Sequence, residues 1–405
     1  MNTAIPTRET DITREKIVER ARDMIPVLRE LAGETERRRT LATETVEDFR
    51  RAGFYRILQP RRFGGYQLGL RTFCDVMINI SRGCASSGWV LCLTSAHTFH
   101  MAAFPEAGQV EMYGDDGEFR APLIFAPQGT AVPVDGGYRI TGRWNYNSGG
   151  EHANWLIMAA ALPGDGAGAP TKDLLMVIIR REDYEIFDNW HVMGMRGTGS
   201  KQAVVKDVFV PSQRAISQTA WLLGDAPGYG VHDDPFYSTP PMEVFCTELS
   251  SICVGVGEAA IDAYHERVMT KKNAYPPFEL LRTERSAQRR LGHARARVDA
   301  AAAVVDRMIG QQAEYAERAA AGRFEFPSDT RRRVFMLAQQ VVRNVTEAVD
   351  PLFETSGTSA TQSGQQMERI YRDLATIRTH FILDADRSAE NWGATFLGLD
   401  AYSPY

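Results

Sequence analysis

The chain has 405 residues, 44% hydrophobic and 24% charged, enough for two or three structural layers, each with its own core. A formal net charge of −5, with Lys and Arg dispersed rather than gathered into runs, argues against a nucleic-acid-binding surface. No apolar run reaches the roughly 18 residues a bilayer span needs, and MNTAIPTRETDITREK carries no apolar signal core; a cytoplasmic protein without a membrane partner is expected.

The hydrophobic period divides the chain into three zones, 1–120, 121–213 and 214–405. In the first, Phe73, Val76, Met77 and Ile80 follow the spacing of one buried helix face. The Pro and Gly-Gly of RILQPRRFGGYQLG (56–69) must interrupt helices, so that stretch reads as a structured turn. In the second zone PLIFAPQ, YRITGRWNYN, WLIMAAAL, LLMVII and AVVKDVFV are short β-branched and aromatic runs, separated by DGG (135–137) and GDGAGAP (164–170). They predict a small, mostly antiparallel β domain, a barrel or sandwich, ending near Pro211. Residues 214–240 read as a loop. Helical periodicity then returns: Ala287, Leu291, Ala294, Val298, Ala301, Val305 and Met308 share one face, and Leu337, Val341, Val345 and Val349 another.

Five cysteines (Cys74, Cys84, Cys92, Cys246, Cys253) are odd in number, lie in apolar contexts and form no CxxC pair, so buried free thiols are expected. His152, His191, His232, His265 and His293 lack metal-ligand spacing, and no metal site is expected. HExxH, GxSxG, Walker A and GxGxxG patterns are missing, so any nicotinamide reductant must act through another protein.

Four stretches in order, RAGFYRILQPRRFGGYQLGL, GGYRITGRWNYNSGGEHANWLIMAA, NWHVMGMRGTGSKQAVVKDVFVP and MERIYRDLATIRTHF, resemble the acyl-CoA dehydrogenase superfamily over nearly the whole chain. The resemblance implies a mainly α fold with a central β domain: an N-terminal helical domain, a small β domain and a C-terminal four-helix bundle. It also implies a homotetramer. Where dehydrogenases commonly follow the Arg-Asp pair with a catalytic Glu, this chain reads RDLATIRTHFILD, with His380 in that neighbourhood. That substitution, with SGW at 87–89 and NSGGEHANW at 147–155, resembles the two-component flavin-dependent monooxygenase branch. Its members include the oxygenases of 4-hydroxyphenylacetate, of a phenolic secosteroid and of dibenzothiophene. The FAD-diphosphate motifs of dehydrogenases are not intact in NAYPPFELLRTERSAQ or FETSGTSATQSG, so reduced FMN is the expected cofactor, with reduced FAD the alternative.

This resemblance implies an oxygenase that receives reduced flavin from a separate NAD(P)H:flavin reductase and uses O2, through a hydroperoxyflavin, to hydroxylate a small aromatic or polycyclic substrate. His380 would act in hydrogen bonding and proton supply. Ser148 and Asn147, at an aromatic strand end before Gly149-Gly150, would reach the flavin ring. His97, in the apolar run WVLCLTSAHTFHMAAF, would face the substrate hydroxyl, with His100 an equally visible neighbour. Trp89 would wall the cavity or pack a domain interface. Arg282, with Arg285 beside it, and the turn Gly357, Thr358 and Ser359 would meet the flavin phosphate; exposed helix charges are the other reading of the arginines. A Ser before Ala126-Pro127, favoured by the phenol hydroxylases, is replaced by Leu123, Ile124 and Phe125. An FAD-dependent acyl-CoA dehydrogenase, an N- or S-oxidising enzyme of the same fold and a non-catalytic scaffold stand as alternatives.

Overall fold

The computed structural model describes residues 12–114, 117–164 and 174–399; the first eleven residues and most of the Gly-rich separator after 164 lie outside them. Seven helices come first: α1 (Arg14–Asp23), α2 (Ile25–Arg38), α3 (Thr43–Ala52), α4 (Gly69–Gly83), α5 (Ala85–Ser95), α6 (His97–Met101) and α7 (Glu106–Tyr113). Phe73, Val76, Met77 and Ile80 are fully buried on α4, as their spacing requires. The Pro-Gly-Gly stretch forms two short 3-10 turns, Phe54–Arg56 and Arg61–Phe63.

The strands are β1 (Leu123–Ile124), β2 (Gly129–Val134), β3 (Gly137–Asn147), β4 (Trp155–Ala161), β5 (Leu174–Arg180), β6 (Glu185–Phe187), β7 (Lys201–Pro211) and β8 (Ala215–Ser217). They form one mixed sheet in the order β6-β7-β3-β2-β4-β5-β8, with β1 beside β4. Most pairs are antiparallel, as the alternation predicts; β1–β4 and the brief β2–β4 pairing are parallel. Strand β4 is buried on both faces, and its period of two divides it between two cores. Leu156, Met158 and Ala160 join the sheet core with Trp144 and Ile140. Trp155, Ile157 and Ala159 face the helical core.

The stretch read as a loop, 214–240, is instead structured: it holds β8, helix α8 (Gln218–Leu223) and a 3-10 turn at Pro235–Ser238. Ser217 caps α8, its hydroxyl accepting from the Ala220 N–H at 3.2 Å, and Gly224 ends it in the left-handed conformation. The Gly, Asp and Pro residues that suggested a loop are those that start and stop these short elements.

The C-terminal helices are α9 (Pro241–Thr270), α10 (Arg285–Ala320), α11 (Ser328–Glu354), α12 (Gln366–Ile377) and α13 (Ala385–Phe396). Helices α9, α10 and α11 pack on one another, and α12 lies against α9 and α11 to complete a four-helix bundle. Helix α9 has the length and apolarity of a membrane span, yet nearly all of its apolar stretch is buried inside the molecule against α4, α10 and α11. Gly255 lets α4 approach it: a Cβ there would stand 2.4 Å from the Ile78 carbonyl oxygen and 2.7 Å from Ser81 Cβ. All five cysteines are buried and free.

Candidate active site

The end of β3 is where backbone geometry departs from a regular ladder. The β3–β7 register shifts between Trp144 and Asn147, and Tyr146 sits at φ 69°. A register shift of this kind re-aims the residues that follow it. Asn147 and Ser148 consequently turn into the interior, 1% and 4% exposed. Gly149 follows at φ 71°, its α-carbon so close to α5 that a Cβ would meet Val90 Cγ1 at 2.7 Å.

Ser148 ends a chain of hydroxyls whose direction can be worked out. Thr198 Oγ1 donates its one proton to the Met195 carbonyl at 2.9 Å. The 2.6 Å bond between Thr198 and Ser200 must then be donated by Ser200, and the 2.7 Å bond between Ser200 and Ser148 by Ser148. Trp89 Nε1, a donor only, reaches Ser148 Oγ at 3.3 Å. Ser148 has spent its proton and keeps a lone pair, so it faces the interior as an acceptor. Thr198 and Ser200 were not singled out from sequence; the only signal was hydroxyls flanking glycine in RGTGSK, a pattern that equally describes an ordinary turn.

Across Trp89 stands His380, ring centroids 5.7 Å apart and edge-on. The structure thus brings Trp89, Ser148 and His380 together, with Asn147 adjoining Ser148 in the chain. His380 sits just beyond α12 and precedes a 3-10 turn, and its Nδ1 accepts from the Ile382 N–H at 3.4 Å. Burial pushes its imidazole down to about 4. At neutral pH the ring is therefore uncharged, and with Nδ1 accepting, its proton resides on Nε2. One side of Trp89 carries an acceptor, the other a donor.

An aromatic wall extends from His380 through Phe381 (4.8 Å), Phe125 (5.8 Å) and Trp221 (6.4 Å) to His100 (5.4 Å). Beside its far end lies a buried polar trio, with ligating atoms of His97, His100 and Glu248 all within 4.8 Å of one another. His97 Nδ1 donates to the Ala121 carbonyl at 2.6 Å, leaving Nε2 as an acceptor without a partner. Both nitrogens of His100 and both oxygens of Glu248 are also without partners. Burial holds His97 down at about 4 and His100 well below its ordinary range, so both rings are uncharged at pH 7, and it pushes the Glu248 carboxyl well up.

The phosphate candidates form a separate group. Arg282 lies exposed in a 3-10 turn, Leu281–Thr283, and Arg285 opens α10. Gly357 (φ 76°) and Thr358 are exposed, while Ser359 Oγ accepts from Arg267 Nη2 at 2.6 Å and Lys271 Nζ at 3.3 Å near the end of α9. Among the described residues no hydrogen bond or ring contact joins these positions to the Trp89–Ser148–His380 group.

The Arg-Asp pair of α12 braces the site from behind. Asp373 Oδ1 accepts the Met195 N–H at 2.6 Å, and Arg372 Nη1 donates to the Met193 carbonyl at 2.6 Å. Glu36 of α2 pairs with Arg372 at 2.7 Å and Arg369 at 3.0 Å. The turn that starts the hydroxyl chain is thereby held by α12, which is itself held by α2.

A bare strand end with an acceptor, an indole beside it and an uncharged imidazole donor opposite fit the edge of a planar ring that carries its own N–H and carbonyl groups, as a flavin does. The family comparisons agree. Residues 7–113 match the acyl-CoA dehydrogenase N-terminal domain model and residues 248–385 the C-terminal domain model, so the chain belongs to the acyl-CoA dehydrogenase family. Within it the similar proteins are flavin-dependent oxygenases. The chain is 33% identical to the oxygenase subunit HsaA of a flavin-dependent monooxygenase from Rhodococcus jostii, over 93% of this chain and 97% of that one. It is likewise 33% identical to a pigment production hydroxylase from a Rhodococcus species, over 97% and 99%. The structure of XiaF from a Streptomyces species, in complex with FADH2 and glycerol, superposes with a TM-score of 0.87 at 29% identity, over 98% of both chains.

Proposed function

We propose that this chain is the oxygenase component of a two-component flavin-dependent monooxygenase. It takes reduced flavin from a separate NAD(P)H:flavin reductase and hydroxylates a small phenolic substrate. The observation that carries this reading is the pairing across Trp89: an acceptor at Ser148 and an uncharged donor at His380, where an acyl-CoA dehydrogenase would need a carboxylate base. When bound, the flavin supplies the electrons and the atom that activates oxygen. Ser148 would accept from a ring N–H of the reduced cofactor, Trp89 would keep water from that edge, and His380 would offer its Nε2 proton to negative charge developing beside it. His97 Nε2, a fully buried acceptor without a partner, would accept a hydrogen bond from a substrate hydroxyl and so raise the electron density of the ring carbon. That role favours carbon hydroxylation of a phenol over nitrogen or sulfur oxidation.

Reduced FMN is the cofactor we assign. Reduced FAD is the second reading, favoured by the convergence of Arg267 and Lys271 on Ser359, which would suit a further phosphate. The assembly is proposed to be a cytoplasmic homotetramer, which light scattering would test.

The deciding experiment mixes the protein, loaded anaerobically with reduced FMN, with oxygen and records hydrogen peroxide release. The wild type should delay release relative to free reduced FMN, and His380→Ala should shorten the delay by about tenfold or more, the usual scale for losing a positioned acid-base group. Equal release from wild type and free flavin, or reduction of the protein's oxidised FAD by an acyl-CoA, would overturn the reading.

A further inference from the structure

Five buried polar atoms gather where α6 faces α9. His97 Nε2, both ring nitrogens of His100 and both carboxyl oxygens of Glu248 have no hydrogen-bond partner among the described residues. None of the three residues is more than 1% exposed. A buried donor or acceptor without a partner is costly, and a native interior holds only a few of them. Other buried acids of this chain are satisfied: Glu118 pairs with Arg120 at 2.9 Å and Glu36 with Arg369 at 3.0 Å. Five unsatisfied atoms on three touching side chains therefore point to a ligand that meets them together.

The donor set is that of a metal site. One ligating atom from each side chain lies within 4.8 Å of the other two. A tetrahedral ion with bonds of about 2.0–2.1 Å holds its ligands about 3.3 Å apart, so the trio must close by roughly an ångström or more. Neither His100 nor Glu248 has a hydrogen bond at its polar end that opposes this movement. His97 is already in the posture of a ligand: its Nδ1 donates to the Ala121 carbonyl at 2.6 Å, which leaves the Nε2 lone pair pointing away. Metal-bound imidazoles are oriented in this way, their outer N–H held by a carbonyl or carboxylate. His97 and His100 stand three residues apart on α6, so both rings lie on one side of it, centroids 5.4 Å apart. Phe245 packs against both at 5.5 and 5.0 Å, and Phe99 against His100 at 5.2 Å, an apolar jacket of the kind that limits water at such a site.

We propose that His97, His100 and Glu248 bind a divalent transition-metal ion, zinc foremost. Two imidazoles and one carboxylate suit zinc, whereas magnesium and calcium require mostly oxygen ligands. The ion and a substrate hydroxyl would claim the same lone pair of His97, so zinc and a phenol exclude each other and the metal holds the oxygenase off. The exclusion rests on the hydroxylase reading above; the metal site does not.

The test begins with the chelator-treated chain, free of flavin, dialysed to equilibrium against Zn2+ and, in parallel, Mg2+. About one Zn2+ per chain should be retained and Mg2+ should not. X-ray absorption of the zinc-loaded wild type should show two imidazole nitrogens and a carboxylate oxygen. Glu248→Gln, which keeps the shape, and His100→Phe should each weaken zinc binding at least about tenfold, the lower end of what a change at a metal site costs. Lack of retained zinc would mean that buried water satisfies the trio and overturns the proposal. Zinc held equally by both variants, or without two imidazoles in its spectrum, would mark an adventitious ion only and overturns it too; the wild-type spectrum decides the matter if a variant does not fold. The exclusion is read on the chain loaded anaerobically with reduced FMN, where bound Zn2+ should weaken calorimetric binding of 4-propylphenol at least about tenfold, or ~1.4 kcal/mol. Unchanged phenol affinity with zinc in place overturns the exclusion. A chain that binds zinc but no phenol at all counts against the hydroxylase reading and leaves the metal site standing.

Discussion

Ser148 acts as an acceptor only because two residues below it, Ser200 and Thr198, dispose of its proton toward Met195. Removing the middle hydroxyl frees that proton. In Ser200→Ala, Ser148 can donate inward as well as accept, and its preference for a reduced flavin, which carries an additional ring N–H, should weaken. The expected result is a three- to tenfold loss in the ratio of reduced to oxidised FMN affinity, on the order of one hydrogen bond. An unchanged ratio by equilibrium titration would detach Ser200 from the cofactor. His97, Ser148 and His380 were legible as candidates because they sit in runs that resemble a family. Their protonation was not, because it depends on Ala121, Ser200 and Ile382, whose contacts follow from the fold rather than from neighbouring letters.

At the scale of elements, helix α12 matters more for what it holds than for what it covers. Asp373, 5% exposed, secures the Met195 N–H at the root of the hydroxyl chain. Burial raises its carboxyl to about 7 against the opposing pull of that N–H and of Arg372. Asp373→Ala would leave a buried donor without an acceptor, costing about 1–3 kcal/mol. It should also loosen residues 195–200, visible as faster amide exchange there and weaker flavin binding; unaltered exchange would show that the turn stands unaided. Helices α10 and α11 were plain from their periodicity, since Val298, Val305, Val341 and Val345 are fully or almost fully buried; α9, buried on almost every side, shows no such period and was not singled out. Short elements such as α8 escaped because six residues (Gln218–Leu223) are too few to display a period, and the caps Ser217 and Gly224 read alone as loop chemistry.

Across the whole molecule, the first turns of α9 carry buried acid groups, Glu243 and Glu248, that form no ion pair among the described residues. Glu243 is 3% exposed, its Oε1 has no partner, and burial lifts its carboxyl to about 8. A folded-state value above the unfolded one means that this group's contribution is fully present below about pH 4.5 and is lost as pH rises through 8. Glu243→Gln, which keeps the shape, should therefore gain on the order of 1–3 kcal/mol over the wild type at pH 8.5, the gain shrinking toward pH 5. Urea unfolding at the two pH values measures it; a pH-independent difference would contradict the assignment. The sheet-between-helices plan was readable throughout from changes of period, whereas these buried carboxyls looked in sequence like ordinary helix charges. The brace described behind the site has a consequence in time. Glu36, Met195 and Asp373 come from the beginning, middle and late part of the chain, and the bond from Met195 to Asp373 and the pairs of Glu36 with Arg369 and Arg372 form only after α12 has been synthesised. The helices before α9 and the sheet can collapse early, but the cofactor edge can acquire its final geometry only when α12 arrives, making its docking a natural late step of maturation.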